Sequence, residues 1–191
     1  MTSAGSVKHY RKHLRAPLYD NILFEDDNYV FKARTLNISE GGILLDALPH
    51  FPAKESVGIL VPVPQFPQFK NFSLERLKDY SQELFPKKIL PMKVTMVRRE
   101  TETTSVDDVF RSRIGAAFVS ADHQTKKIIS DYVDVFVSNI VYLQAILDQV
   151  NVDKTSLEKV KVLSHILGYR NLNKIALLRK LVTHDYQNLQ W

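Results

Sequence analysis

Between Asn21 and Val119 the chain consists of short runs of β-branched and aromatic residues separated by turn chemistry, a pattern that few folds accommodate. Asn21 to Glu25 and Asn28 to Asn37 are two such runs, and Glu25-Asp-Asp-Asn28 between them predicts a hairpin. Gly42 to Leu48 and Ser56 to Val63 read as a third and a fourth strand. Ile89 to Glu100 and Phe110 to Val119 read as two longer strands, joined by a polar loop with Asp107 and Asp108. In the last run Phe110, Ser112, Ile114, Ala116 and Phe118 share one face by the period of two, and Arg111 and Arg113 take the other. Six short strands with turn signals predict a small antiparallel barrel.

Prolines interrupt this pattern. Pro64 and Pro67 end the fourth strand, and Pro86 and Pro91 precede or open the fifth. Between them Ser73 can cap a short helix carrying Leu74, Leu77, Tyr80 and Leu84. Phe66, Phe69 and Phe72 lead into it and are expected to anchor this insertion to the barrel; left exposed, they would form a partner surface.

The remaining chain is helical. From Gln124 to Val150, residues Ile129, Val133, Phe136, Ile140, Leu143, Leu147 and Val150 alternate spacings of four and three. Such a seam serves either a coiled-coil homodimer or one helix that closes the barrel and carries further helices. Thr155 and Glu158 match a capping box, and Gly168 suits a C-cap. Leu157, Val160, Leu163 and Leu167 line one face, and Leu172, Ile175, Leu178 and Val182 line another, which predicts a helical hairpin. It is expected to pack on the end of the long helix. The chain then divides into a mobile stretch at 1–7, a barrel at 8–123 with a helical insertion at 64–88, a long helix at 124–150 and a hairpin at 151–191.

Composition bounds the function. The sequence has no cysteine, which excludes disulfides, thiolate catalysis and cysteine-ligated metal. No apolar run is long enough to cross a membrane, and the first residues lack the apolar core of a signal peptide. A cytoplasmic protein is expected. The net charge of +5 favours anionic partners. There is no His-Glu-x-x-His, phosphate loop or nucleophile elbow, so the chain reads as a binding protein and not an enzyme. His9 and His13 stand four apart, a spacing that can bind zinc on a helix, but no third ligand stands near, and no cofactor or metal is expected.

Two motifs carry the functional signal. Arg11 and Arg15 form an Arg-x-x-x-Arg pair inside a basic stretch that includes Lys8 and Lys12. Asn37, Ser39 and Gly42 form an Asn-x-Ser-x-x-Gly turn between two strand-like runs. A guanidinium presents a planar fork of donors that matches phosphate oxygens and the O6/N7 edge of guanine. The blander readings are a solvated basic tail for residues 8–15 and a tight turn whose glycines supply positive φ. Asn37-Ile-Ser39 also fits a glycosylation sequon, which a cytoplasmic chain never presents to that machinery.

In this order and separation, and with Ile114-Gly-Ala-Ala-Phe-Val119 followed by an amphipathic helix, the chain resembles bacterial PilZ domains, which bind cyclic di-GMP. The resemblance covers about residues 8–140. It implies a six-stranded antiparallel β-barrel, here with a helical insertion, a long closing helix and a C-terminal hairpin. It implies that Arg11 and Arg15 sit in a segment that folds over the ligand and hold its phosphates and guanine edges. It implies that Asn37 and Ser39 hydrogen-bond a guanine while Gly42 permits the turn. The family often has Asp at the position of Asn37; Asn keeps an acceptor but loses the charge. Lys8, Lys12, Arg34 and Arg113 are secondary ligand candidates by charge alone. The expected role is a cyclic di-GMP receptor that signals to a protein partner. The alternatives are an adaptor without ligand binding, or a nucleic-acid-binding regulator using Lys174, Arg179 and Lys180 on the last helix.

Overall fold

A computed structural model describes residues 12–80, 85–102, 111–150, 154–169 and 174–189. Its strands are β1 (Ala16–Pro17), β2 (Asn21–Asp26), β3 (Tyr29–Ser39), β4 (Gly42–Asp46), β5 (Ser56–Pro64), β6 (Lys87–Glu102) and β7 (Arg111–Phe118). Its α-helices are α1 (Leu74–Lys78), α2 (His123–Gln149), α3 (Lys154–Ile166) and α4 (Ile175–Asn188).

Six strands close into a ring in the order β3-β2-β5-β6-β7-β4, with β4 returning to β3. Every pairing is antiparallel. The tight turn from β2 to β3 places Asp27 at φ 46° and Asn28 at φ 66°. Two left-handed residues give the turn the twist of its flanking strands, and Asp and Asn tolerate that conformation. Alternation then sends Ile22, Phe24, Ala33, Val57, Ile59, Val61, Met92, Val94 and Ile114 into a buried interior. Burying each large apolar side chain contributes about 1.5–3 kcal/mol. The short strand β1 occupies the edge of β3 beyond β2, with Ala16 opposite Ile38 and Pro17 opposite Asn37.

Helix α2 starts at Asp122, whose carboxylate accepts from the Thr125 N–H at 2.6 Å. Its seam residues Ile129, Val133, Phe136, Ile140, Leu143 and Leu147 are all buried. Helix α2 packs against β1, β3 and β5, and α3 and α4 also pack on it. The seam that could have served a homodimer is thus covered by this chain's own elements.

The insertion carries the expected Ser73-capped helix, but the helix ends at Lys78 and leaves out Tyr80. Helix α1 is a short segment, capped by the Ser73 hydroxyl, which accepts from the Arg76 N–H at 3.2 Å; Leu84 lies outside the described residues. Its phenylalanines reach the helices. Phe66 stacks on Tyr132 at 5.9 Å between ring centroids. The Phe69 N–H donates to the buried Asn139 at 2.9 Å, and the Asn139 amide donates to the Pro67 carbonyl at 2.9 Å. Lys78 pairs with Glu158 of α3 at 2.9 Å. The physical reason is that α2 offers an apolar face and one buried amide, which satisfies the backbone of the proline-broken loop.

Helix α3 already includes Lys154, so Thr155 is a helical residue and not the cap expected from the capping box. At the other end Gly168 has φ 95°, its N–H bonds to the His165 carbonyl, and the Tyr169 N–H bonds to the Ser164 carbonyl. This is a Schellman stop that glycine supplies without steric cost. Helix α4 buries Leu178 and Val182. Its Arg179 donates to the Leu147 carbonyl at 2.6 Å, at the negative end of α2. That residue, a candidate for nucleic-acid contact, is engaged in packing the hairpin. Among the described residues no helix is long and apolar enough to cross a membrane.

Candidate functional site

A break in the period of two builds the site. The β3–β4 register shifts between Thr35 and Asn37, so Leu36 is bulged. Ala33 and Thr35 face inward. Without the bulge Asn37 and Ser39 would follow them into the barrel and Ile38 would face out. With it Ile38 is fully buried, and Leu36, Asn37 and Ser39 turn to the outer surface of the ring. The Ser39 hydroxyl donates to the Gly42 carbonyl at 3.2 Å across the turn. From the other side of the turn, Ser130 of α2 donates to Glu40 at 2.8 Å.

Gly42 has a role different from the one expected. Among the described glycines Gly168 is the one with positive φ, so neither Gly41 nor Gly42 supplies a left-handed turn. A side chain at Gly42 would instead overlap the Ala116 carbonyl oxygen and come within 3.3 Å of Ala117 Cα. Strands β4 and β7 close on each other at that point, with Gly42 opposite Ala117. The residue permits a close approach of two backbones.

Strand β1 delivers the basic segment. Arg15 directly precedes Ala16, whose pairing with Ile38 sets Arg15 beside Ser39. Leu18 holds β1 to β3 by its N–H to the Leu36 carbonyl at 3.0 Å, and the Thr35 hydroxyl donates to the Leu18 carbonyl. Tyr132 of α2 donates to the Pro17 carbonyl at 2.6 Å, and burial pushes its phenol well above the ordinary range. The last turn of α4 meets the same segment, with the Arg15 N–H donating to the Leu189 carbonyl at 3.2 Å.

These elements enclose an open cleft of about 950 Å³. It gathers Lys12, Arg15, Asn37, Ser39, Gly42 and Arg113 from segments far apart in sequence. Arg11 and Lys8 lie outside the described residues, as do residues 1–7, His9, Asp107 and Asp108. Arg34 does not line the cleft; it pairs with Asp46 on β4. Burial alone would push the Asp46 carboxyl up, but Arg34 and the Ala47 N–H outweigh it and hold the carboxyl below its usual range. His13 lines the cleft with Nδ1 3.5 Å from Glu40. Among the described residues no group of three His, Asp or Glu is placed to hold a metal ion.

The cleft also contains residues that the motifs do not reveal. Val97 sits at a second bulge, where the β6–β7 register shifts between Met96 and Arg98, and is 67% exposed. Tyr19 lines the cleft and is 66% exposed; partial desolvation raises its pKa, Asp185 raises it further, and Arg113 lowers it. His184, Asp185 and Leu189 make the cleft's α4 wall. The outward position of Arg113 was legible from alternation; the contribution of α4 had no local signal.

Comparison with curated proteins yields no match. Among solved structures, the chain is similar to the inhibitor of motility MotI/DgrA of Bacillus subtilis at 12% identity and a TM-score of 0.47, over 75% of this chain and 53% of that one. It is similar to the PilZ domain of Escherichia coli YcgR with c-di-GMP at 13% identity and a TM-score of 0.41, over 64% of this chain and 88% of that one. For PlzA of Borreliella burgdorferi in complex with c-di-GMP the values are 10% and 0.41, over 63% and 49%. The chain thus spans about half the length of the first and third of these proteins. The PilZ domain family model matches residues 9–134, which run from the basic segment through the whole barrel into α2, and by that match the chain belongs to the PilZ domain family.

Proposed function

We propose that this protein is a cyclic di-GMP receptor whose ligand occupies the cleft between β1, β3, β4, β7 and α4. One observation carries the reading. Arg15 of the first motif and Asn37, Ser39 and Gly42 of the second line one cleft, although a turn, a hairpin and a bulge separate them along the chain. The volume of about 950 Å³ is at the upper end of the range for small-molecule sites. The solved structures of YcgR and PlzA contain c-di-GMP, and this chain shares their family.

In this reading Arg15 and Arg11 hold phosphates and the O6/N7 edge of guanine. Asn37 and Ser39 hydrogen-bond a base, and Gly42 keeps β4 close to β7 so that the turn stays at the rim. Arg113 and Lys12 add positive charge. Binding orders the segment at 8–15 over the ligand, and the altered surface at β1 and α4 is read by a protein partner. The receptor works in the cytoplasm, as a binding protein and not as a catalyst.

Isothermal calorimetry of the purified protein with cyclic di-GMP tests this. The expected result is a micromolar or tighter Kd and slowed amide exchange in the segment at 8–15. No heat and no protection at high micromolar ligand would replace the receptor by an adaptor that acts through protein contacts alone.

A further inference from the structure

On the β wall of the cleft the groups proposed to meet a base are a carboxamide and a hydroxyl, Asn37 and Ser39. Both groups donate as well as accept. They therefore discriminate weakly between guanine, whose Watson–Crick edge offers two parallel donors at N1 and the 2-amino group, and adenine, whose N1 is an acceptor. A carboxylate is acceptor-only and takes two parallel donors at once. Among the described residues lining the cleft, the one carboxylate is Asp185, and it comes from α4.

Asp185 is held in place. The Tyr169 hydroxyl donates to Oδ2 at 2.7 Å, and His184 Nδ1 stands 3.4 Å from Oδ1. Its side chain remains about a quarter exposed at 26%. Tyr19 and Arg113 line the same cleft as Asp185; desolvation and then Asp185 hold the Tyr19 phenol up while Arg113 lowers it. The Leu189–Arg15 hydrogen bond fixes the end of α4 against the basic segment. An acid beside a dianionic ligand is unfavourable unless it meets the base edge and leaves the phosphates to the cations, and Arg15, Lys12 and Arg113 are present for that.

We propose that Asp185 is a guanine-reading residue, its carboxylate accepting the N1–H and 2-amino groups of a base seated in the cleft. The proposal rests on the cyclic di-GMP reading above and adds its base specificity. The C-terminal hairpin becomes part of the binding site as well as a helical extension of the barrel.

The test compares cyclic di-GMP, its inosine analogue without the 2-amino group, and cyclic di-AMP on the parent protein and on Asp185→Asn. The parent should prefer the guanine ligand at least about tenfold over either analogue. Asp185→Asn should weaken cyclic di-GMP by about ten- to a hundredfold and bring the three ligands within a few-fold of one another. Asp185→Glu should restore part of the preference. If Asp185→Asn binds cyclic di-GMP as tightly as the parent or more tightly, the carboxylate is only a repulsive wall. The proposal is then overturned and the receptor reading stands. A parent protein that binds none of the ligands ends both. Because the substituted amide also accepts from Tyr169 yet packs differently, the parent alone gives a second readout by NMR. The bound guanine N1 proton should show NOEs to His184 or Leu189, which line the cleft beside Asp185, and NOEs to β3 protons only would overturn the assignment.

Discussion

The backbone N–H of Arg15 donates to the carbonyl of Leu189 at 3.2 Å, so the basic segment ahead of the barrel is tied to the last turn of α4. Leu189 is itself buried, and its N–H bonds back to Asp185 at 3.0 Å. Deleting residues 187–191 should release this tether. Hydrogen exchange at the Arg15 amide is expected to accelerate at least about tenfold, while the Ile38 amide inside the sheet keeps its rate. Equal rates at Arg15 with and without the last residues would show that β1 alone holds the segment.

The Arg15 side chain is half-buried and lines the cleft, and the proposed reading gives it a recognition role. A charge-assisted hydrogen bond contributes about 1.5–3 kcal/mol, and each 1.4 kcal/mol is about tenfold in affinity. Arg15→Ala should weaken cyclic di-GMP about ten- to a hundredfold, and Arg15→Lys should recover part of it, because an ammonium lacks the planar fork. The thermal stability of the free protein should change little. Lys54→Ala is the charge-matched control, since Lys54 is exposed on the β4–β5 connection and does not line the cleft. Lys87 is unsuitable because it pairs with Asp20 at 2.6 Å. A comparable loss with the Lys54 variant would mean a diffuse electrostatic surface.

Gly42→Ala separates the two roles of a glycine. With an ordinary φ the backbone tolerates alanine, but the new methyl meets the Ala116 carbonyl and forces β4 from β7. Overpacking of this kind costs about 1–3 kcal/mol. Thermal unfolding should show that loss even without ligand. An unchanged midpoint would place the strands farther apart than described.

Asp26 is expected to contribute to the acid limb of stability. It is buried at the turn from β2 to β3, where His50 Nε2 lies 2.8 Å from Oδ2 and the Ala53 N–H donates at 3.2 Å. The hydrogen bond from His50 holds its carboxyl below the ordinary value, against the upward push of burial and with help from Ala53. A carboxyl whose folded pKa is depressed adds stability above the ordinary unfolded value of about 3.9, and that stability is lost as pH falls through the folded value. Asp26→Asn should therefore be less stable than the parent near neutrality, with the gap narrowing below about pH 4. A gap independent of pH, measured as unfolding midpoints across that range, would remove Asp26 from the acid response.

Truncation after Val150 removes α3 and α4 and uncovers Leu143 and Leu147, both fully buried in the whole chain. Exposing two leucines of this kind forfeits about 3–6 kcal/mol of burial. The truncated protein should lose its cooperative unfolding transition or aggregate. A soluble monomer with the parent midpoint would show that the hairpin is not part of the same core.

The six barrel strands, the Ser73 cap, the Gly168 stop and the apolar seam of α2 were legible because each is a local pattern, whereas β1 was not read from the sequence. Alternation, capping and periodicity depend on residues within a turn or two of one another. Ile114 and Ala116 turned inward and Arg113 outward as their spacing required. The two motifs stood out in the sequence as patterns of arginine, amide and hydroxyl groups, but neither pattern says that Arg15, Asn37, Ser39 and Gly42 line one cleft. Tertiary structure alone decided three things. The bulge at Leu36, which turns Asn37 outward, is a mismatch between two strands and has no signature in either. The need for glycine at position 42 comes from the backbone of β7, not from the turn in which it stands. The α4 wall of the cleft exists because Leu178 and Val182 bury against the helical core, and that packing carries Asp185 and Leu189 to the basic segment from the far end of the chain. Local pattern determined which residues could form strands, helices and a polar site; contacts between distant segments determined which of them face the same space, because the hydrophobic effect that drives those contacts is non-directional and leaves no fixed spacing in the chain.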